Sequence, residues 1–337
     1  MQPKVLVDMG PWVSGADRAR LERVAEWVEP AAGEPCTEDE LIARLRGCAG
    51  VIRLGGRLPP LTARVFAGSP DLRLAGVRGD RFGAGVDLEA AATHGVKVVD
   101  VDNVASAQPV AEWVLALILV CLRNGGAVFR QMMASEELWA RAQNDHLVCG
   151  ELTGRRVGLV GCGQVGRRLI ELLAPFRVDL RVCDPYLEEE SAVRLGIVRA
   201  ELDQVLRHAE ILVLQTPLTP RTRGMIGRRE LDLLCPGAVL VNCSRGPVID
   251  QEALIERLRQ GTLVAGLDVF DPEPLPKDSP LRSLPNAFVT PHVAWYAPNA
   301  FPRYFGSMVD EFVRFFTGQP LEHELTQRLV DIRHGRL

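Results

Sequence analysis

The chain has 337 residues, 47% of them apolar, enough to bury a full core and better suited to two domains than to one. Its 39 Lys and Arg against 43 Asp and Glu give a formal charge of −4, which lacks the basic footprint that a nucleic-acid backbone requires. The eight cysteines include no C-x-x-C pair and several lie in apolar runs, a usage that fits reduced thiols in the cytoplasm.

The N-terminal MQPKVLVDMG carries one lysine and a short apolar run, with no longer hydrophobic region or small-residue cleavage site behind it. It is expected to form a strand over 4–7 rather than a signal peptide. Leu21, Val24, Ala25 and Val28 share one helical face and predict a helix over 17–28. Thr37 and Glu40, ahead of Leu41 and Ile42, form a capping box in which each side chain satisfies a free backbone N–H. Strands are expected at 51–54, 72–77 and 96–101, and a helix from Asp87 that Gly95 closes in a left-handed cap.

Pro109 suits a first helical turn, so a long apolar helix is expected from there through Arg123, ended by Gly125 and Gly126. Its apolar stretch, 110–122, contains Glu112 and falls short of the roughly 20 residues that span a bilayer, so no membrane segment is expected. This helix is the candidate connector between domains, and 127–150 reads as irregular. Strands then follow near 156–160, 178–183, 211–214, 238–241, 263–267 and 287–289. A tail helix over 301–317 places Phe305, Met308, Val309, Phe312, Val313 and Phe316 at helical spacing. Short β-rich runs alternating with helix-length segments are the pattern of parallel sheets covered by helices, so the class is α/β.

After the apolar run RRVGLV comes Gly161-Cys162-Gly163-Gln164-Val165-Gly166, then a helical segment, a second strand, and Asp184. In a dinucleotide-binding turn the first glycine permits the bend and the second lets the backbone approach a pyrophosphate. The third lets helix and strand pack closely, with the helix N-terminus aimed at negative charge. Asp184 lies 23 positions (184 − 161) after the first glycine, about where an acid accepts hydrogen bonds from a ribose hydroxyl. An adenosine 2′-phosphate would be repelled there, which favours NAD over NADP.

Three later stretches put polar residues just past expected strand ends: Asn242-Cys243-Ser244-Arg245-Gly246, Asp268-Val269-Phe270-Asp271-Pro272-Glu273-Pro274, and Thr290-Pro291-His292. Ligands of open α/β sheets sit outside those carboxyl ends. Taken singly, Arg245 is also compatible with a surface charge, Glu273 with a loop acid and His292 with a core histidine. In this order and context they resemble the D-isomer-specific 2-hydroxyacid dehydrogenases. Further matching text is Leu214-Gln215-Thr216-Pro217-Leu218-Thr219-Pro220, Pro236-Gly237-Ala238, and Asp87-Leu88-Glu89-Ala90-Ala91.

The resemblance implies two doubly wound parallel-sheet domains with a cleft between them. Residues 1–106 and 297–337 would form a flavodoxin-like substrate domain, and 107–296 a Rossmann-type NAD domain. It implies a homodimer joined through the cofactor domain, with 127–150 as an arm and Trp139 reaching the neighbouring cleft. It also implies hydride transfer between NAD(H) and a small 2-hydroxy or 2-keto acid, D-stereospecific. Arg245 would bind the carboxylate and polarise the carbonyl through its planar fork of donors. His292 would be general acid and base, held by Glu273. Asp268 would meet the nicotinamide carboxamide, and Thr216, Pro217 and Cys243 would line the cofactor.

The sequence departs from the family where a small-residue loop normally holds the substrate carboxylate. Here the stretch is Arg78-Gly79-Asp80-Arg81-Phe82-Gly83-Ala84-Gly85-Val86, and Ser106 stands where Asn is usual. Gly56 and Arg57, with Asp80 and Arg81, are the candidate substrate residues. Arg57, Arg78 and Arg81 either bind a second anionic group or are ordinary solvated arginines, and Trp295 either walls the pocket or belongs to the core. A formate-oxidising relative is disfavoured because Glu273 stands where that branch has Gln. The length disfavours the allosteric phosphoglycerate enzymes with an added regulatory domain and leaves the shorter ones open. An NAD-sensing co-regulator that works by binding proteins shares the fold and is the alternative. Six scattered histidines hold no H-x-x-x-H pattern, so no metal site is expected.

Overall fold

The structure, a computed structural model, describes residues 2–10, 13–30, 36–77, 85–134, 150–333 and 335–336. The chain divides into two compact units, 1–106 with 297–337, and 107–296.

The first unit holds β1 (Lys4–Asp8), β2 (Glu26–Val28), β3 (Cys48–Arg53), β4 (Leu74–Val77) and β5 (Lys97–Asp100). They form one parallel sheet in the order β2-β1-β3-β4-β5, the flavodoxin-like winding. The tail helix Phe301–Phe316 lies close on this sheet because two strand residues lack side chains. A Cβ on Gly76 would stand 2.4 Å from the Met308 sulfur, and one on Gly50 2.8 Å from a Phe312 ring carbon. The Thr37–Glu40 capping box forms as expected, and Gly95 turns at φ +70° behind the helix Leu88–Thr93.

Three expectations need correction. The helix over 17–28 stops at Glu22 and its second half is β2, whose Glu26, Trp27 and Val28 pair with β1. Four apolar residues at helical spacing do not distinguish a helix from a helix followed by a buried strand, and the free edge of β1 decided for the strand. The connector helix spans Asp102–Leu122, with Pro109 inside it rather than at its start. Ala105, Ser106 and Ala107 are buried ahead of the proline, and packing holds that turn helical despite the N–H that Pro109 cannot supply. Begun this early, the helix is long and apolar enough to cross a membrane by length and composition, which the stretch 110–122 was not. A little over half of that window is buried, and Ala111, Val114, Leu117, Ile118 and Cys121 pack into the core of the second unit. Gly125 and Gly126 do not end the helical region. Asn124 makes the left-handed turn at φ +45°, and a second helix runs Gly125–Met133, where a Cβ on Gly126 would sit 2.8 Å from the Phe288 ring.

The second unit holds β6 (Arg156–Val160), β7 (Asp179–Cys183), β8 (Val198–Arg199), β9 (Ile211–Leu214), β10 (Ala238–Asn242), β11 (Leu263–Leu267) and β12 (Ala287–Val289). Their order, β12-β11-β10-β9-β6-β7-β8, is the Rossmann winding with one strand added. Alternate residues of a strand enter cores on opposite faces, as where Val239 and Val241 join one cluster and Ala238 and Leu240 the other. The register carries the functional consequence. Cys183, Val160, Leu214, Asn242, Leu267 and Val289 pair in one row across six strands, so the carboxyl ends finish level.

Candidate active site

Every expected cofactor and catalytic position in the second unit follows that row. Gly161, Asp184, Cys243 and Asp268 come one residue after it, Thr216 two, and Pro217, Arg245 and His292 three. Neighbouring strands lie about 4.8 Å apart, so side chains from separate parts of the sequence share one edge.

At the switch between β6 and β9 the three glycines divide their work. Gly161 turns at φ +98°, and a Cβ there would lie 2.4 Å from the Gln215 carbonyl oxygen, so the two strand-end loops touch. A Cβ on Gly166 would meet the Gly161 carbonyl at 2.5 Å, which lets the helix Gln164–Leu173 press against β6. Gly163 has nothing within 4 Å of where its Cβ would be. It caps that helix without a side-chain bond, so the first-turn N–H groups of Gln164, Val165 and Gly166 receive no capping acceptor at the positive end of the helix. Asp184 accepts from the Cys162 N–H at 2.7 Å through one oxygen and from the Tyr186 N–H at 2.9 Å through the other. Each oxygen keeps an acceptor position. Beside the turn, Thr216 Oγ1 and Gln215 Nε2 are buried with no hydrogen-bond partner among the described residues. Native proteins rarely tolerate such groups, and a glycine cradle rimmed by orphaned polar atoms fits a dinucleotide.

The edge that carries Arg245 and His292 is held by side chains bonded to backbone groups. Arg245 is half-buried, and Asn242 pins its loop by accepting from the Ser244 N–H and donating to the Arg245 carbonyl, both at 3.0 Å. His292 sits at φ +55°, a left-handed conformation unusual for a residue with a side chain, and Asp268 holds it there. Asp268 is fully buried; its carbonyl accepts from the His292 N–H at 2.9 Å and its carboxylate from the Val293 and Ala294 N–H groups and the Thr290 hydroxyl. Trp113 donates to the same hydroxyl at 3.3 Å. His292 Nδ1 meets Glu273 Oε2 at 2.7 Å, and the other Glu273 oxygen accepts from the Phe270 N–H at 3.0 Å. Nε2 has no hydrogen-bond partner among the described residues. Burial, with Asp268 nearby, pushes the Cys243 thiol well above its ordinary range, so this strand-end cysteine is no nucleophile at neutral pH.

Sequence reasoning missed two residues here. Gly246 lets the Arg245 loop lie against the Phe270 backbone, for a Cβ would fall 1.9 Å from the Phe270 carbonyl oxygen. The signal was a glycine directly after the candidate arginine. Asp8, at the end of β1, is fully buried and accepts from the Arg57 Nε at 2.9 Å and from the Arg57 and Leu58 backbone N–H groups. It thereby anchors the loop of Gly56, which turns at φ +83°. A cavity of about 570 Å³ lies beside that loop, lined by Met9, Gly10, Arg18, Trp27, Gly55 and Arg57. Trp295 packs partly into the core of the second unit, its ring edge-on to the exposed Tyr296. Asp80 and Arg81, with Arg78 and Trp139, lie outside the described residues. Glu311, Glu322 and His323 also come together, but Glu311 already accepts the backbone N–H groups of the other two.

The sequence profile of the D-isomer specific 2-hydroxyacid dehydrogenase NAD binding domain matches residues 115–294. The chain belongs to this family of NAD-dependent dehydrogenases. The D-3-phosphoglycerate dehydrogenase of Methanocaldococcus jannaschii is 33% identical over 318 residues, covering 93% of this chain and 56% of that protein. The chain thus spans little more than half the length of that relative. The glyoxylate reductase of Korarchaeum cryptofilum is 29% identical over 304 residues, 89% of each chain. A phosphoglycerate oxidoreductase from Rhizobium etli superposes with a TM-score of 0.80 at 26% identity, over 96% of this chain and 97% of that one. The recognition of the family, the α/β class with its Rossmann winding, and NAD as the cofactor all agree with these matches.

Proposed function

We propose that this dehydrogenase family member transfers a hydride between NAD(H) and a small D-2-hydroxy or 2-keto acid. The observation that carries this reading is the Glu273–His292 pair at 2.7 Å, standing on the same carboxyl-end row as Arg245 and the glycine cradle. Gly163, Gln164 and Val165 would offer backbone N–H groups to the pyrophosphate, Gly161 and Gly166 would shape the turn, and Asp184 would accept from the adenosine ribose. Thr216, Pro217 and Cys243 would line the cofactor, and Asp268 retains an acceptor position on the oxygen that takes one bond. When bound, nicotinamide supplies or accepts the hydride.

Arg245 binds the carboxylate as a planar fork and draws electron density from the neighbouring carbonyl. His292, its Nδ1 committed to Glu273, is left with Nε2 to give the carbonyl oxygen a proton in reduction and to remove it in oxidation. Gly56, Arg57, Asp80, Arg81 and Trp295 are the residues proposed to meet the substrate. The Arg57 Nε is spent on Asp8, and the partly exposed guanidinium would keep its remaining nitrogens for an anionic group.

Assay of glyoxylate, hydroxypyruvate, pyruvate, 2-oxoglutarate and 3-phosphohydroxypyruvate with NADH and NADPH tests the activity. Turnover with NADH, faster than with NADPH and yielding the D-hydroxy acid, is expected. Absence of turnover with every acid overturns the reading and leaves the protein-binding co-regulator. Preference for the acids with a second anion supports the Arg57 role, and indifference removes it.

The protein is further proposed to be a cytoplasmic homodimer joined through the second unit. Val128, Phe129, Met132 and Met133 on the helix Gly125–Met133 are exposed apolar side chains that a second copy would cover. Sedimentation as a monomer at micromolar concentration would contradict this. The apolar helix Asp102–Leu122 is taken as a core helix, with no membrane or nucleic-acid partner.

A further inference from the structure

Apart from the bond that the Phe270 N–H gives the Glu273 carboxylate, the segment that carries Glu273 has little to hold it. Asp271, Pro272, Glu273 and Pro274 are all exposed, and burial resumes only with Phe270 on one side and Leu275 on the other. Pro272 and Pro274 have no N–H, so the segment cannot build a backbone ladder of its own. Yet a carboxylate that orients an imidazole must be placed to within a fraction of an ångström.

One side chain closes the gap. The Gln251 amide donates to the Asp271 carbonyl at 2.8 Å and accepts from the Asp271 N–H at 3.2 Å, so both backbone groups of Asp271 are taken by a single residue. Gln251 rides on a rigid support as the first residue of the helix Gln251–Arg259. That helix is capped by Asp250, which accepts from the Glu252 and Ala253 N–H groups, and is anchored by buried Ala253, Leu254 and Leu258. The Arg223 guanidinium, 3.9 Å from the Asp271 carboxylate, adds an exposed and therefore weak contact.

We propose that Gln251 is a positioning residue for the acid–base pair, fixing the Asp271 backbone so that Glu273 is held against His292 Nδ1. The inference rests on the assignment of Glu273 and His292 made above. Met has nearly the length and helix propensity of Gln and offers neither hydrogen bond, so Gln251→Met removes the clamp without opening a cavity.

The test is a double-mutant cycle of Gln251→Met and Glu273→Gln in the full chain. It reads kcat and KM with NADH and whichever acid of the panel above is turned over fastest, alongside Tm and hydrogen exchange of 268–275. Gln251→Met is expected to lower kcat about tenfold, to leave KM for NADH and Tm nearly unchanged, and to speed exchange at Asp271. In the Glu273→Gln background the same substitution should change kcat less than twofold, because the group it positions is gone. An equal loss in both backgrounds, or unchanged kcat in Gln251→Met where Glu273→Gln is impaired, overturns the proposal. Unchanged kcat in Glu273→Gln instead overturns the acid–base assignment beneath it. Should no acid be turned over, unaltered exchange at Asp271 in Gln251→Met still refutes the clamp.

Discussion

Gly246→Ala is the sharpest test of how the catalytic edge is assembled. The new methyl would lie 1.9 Å from the Phe270 carbonyl oxygen and 2.0 Å from its carbon, where an ordinary contact needs about 3.5 Å. Both obstacles are backbone on the loop after β11, so the clash is relieved only by moving the Arg245 loop and the Phe270–Glu273 loop apart by roughly 1.5 Å. Overpacking of this kind costs about 1–3 kcal/mol, and because both obstacles are backbone atoms rather than a yielding side chain it falls near the upper end. For a unit of this size that is a fall in Tm of roughly 6–12 °C. The shift would separate Arg245 from the pair that His292 forms with Glu273, and a displacement of about 1 Å at a reacting centre costs about 100-fold in rate. Differential scanning calorimetry and kcat/KM measured on one preparation supply both numbers. A variant that melts within about 2 °C of the parent and keeps its kcat/KM would refute the close approach of the two loops.

His292→Ala should lower turnover about 10²–10⁴-fold while NADH still binds, as followed by fluorescence titration; unchanged turnover removes the acid–base role. Asp184→Asn leaves one acceptor oxygen for two backbone donors and removes the charge facing the ribose. KM for NADH should rise roughly tenfold and the preference over NADPH should narrow, since a lost charged hydrogen bond is worth about 1.5–3 kcal/mol; an unaltered preference contradicts the assignment. Burial, with Glu201 and Asp184 nearby, pushes the Cys183 thiol up to about 11. An acid raised by folding contributes stability that is whole below its unfolded value near 8.5 and is lost as pH climbs through its folded value. Tm should therefore decline between about pH 8.5 and 11, and less steeply in Cys183→Ala. Equal slopes in the two proteins would show that this thiol plays no part.

The glycine turn was legible because each of its residues answers a local demand: a bend at Gly161, an open approach at Gly163, a close packing at Gly166. The strands of the second unit were legible for a similar reason, since buried parallel strands are short continuous apolar runs. The helix expected over 17–28 failed where spacing alone had to separate a helix from a helix plus a strand. Pro109 misled because a proline rule describes a helix in isolation, and burial of Ala105 to Ala107 outweighed it. Gln251 stayed hidden because nothing near it in the chain distinguishes it, and Gly246 offered only its place after Arg245; their partners lie some twenty residues away, on the loop after β11.

Local chemistry written along the chain thus carries the class, the glycine turn and the proposal of Arg245, Glu273 and His292, because short-range periodicity and residue type suffice for them. Register is another matter. That Arg245, Asp268 and His292 come to one edge depends on six strands ending level, and that Glu273 meets Nδ1 depends on bonds between loops distant in sequence. Those alignments are set by pairing and packing across the whole sheet, which no window of neighbouring residues contains.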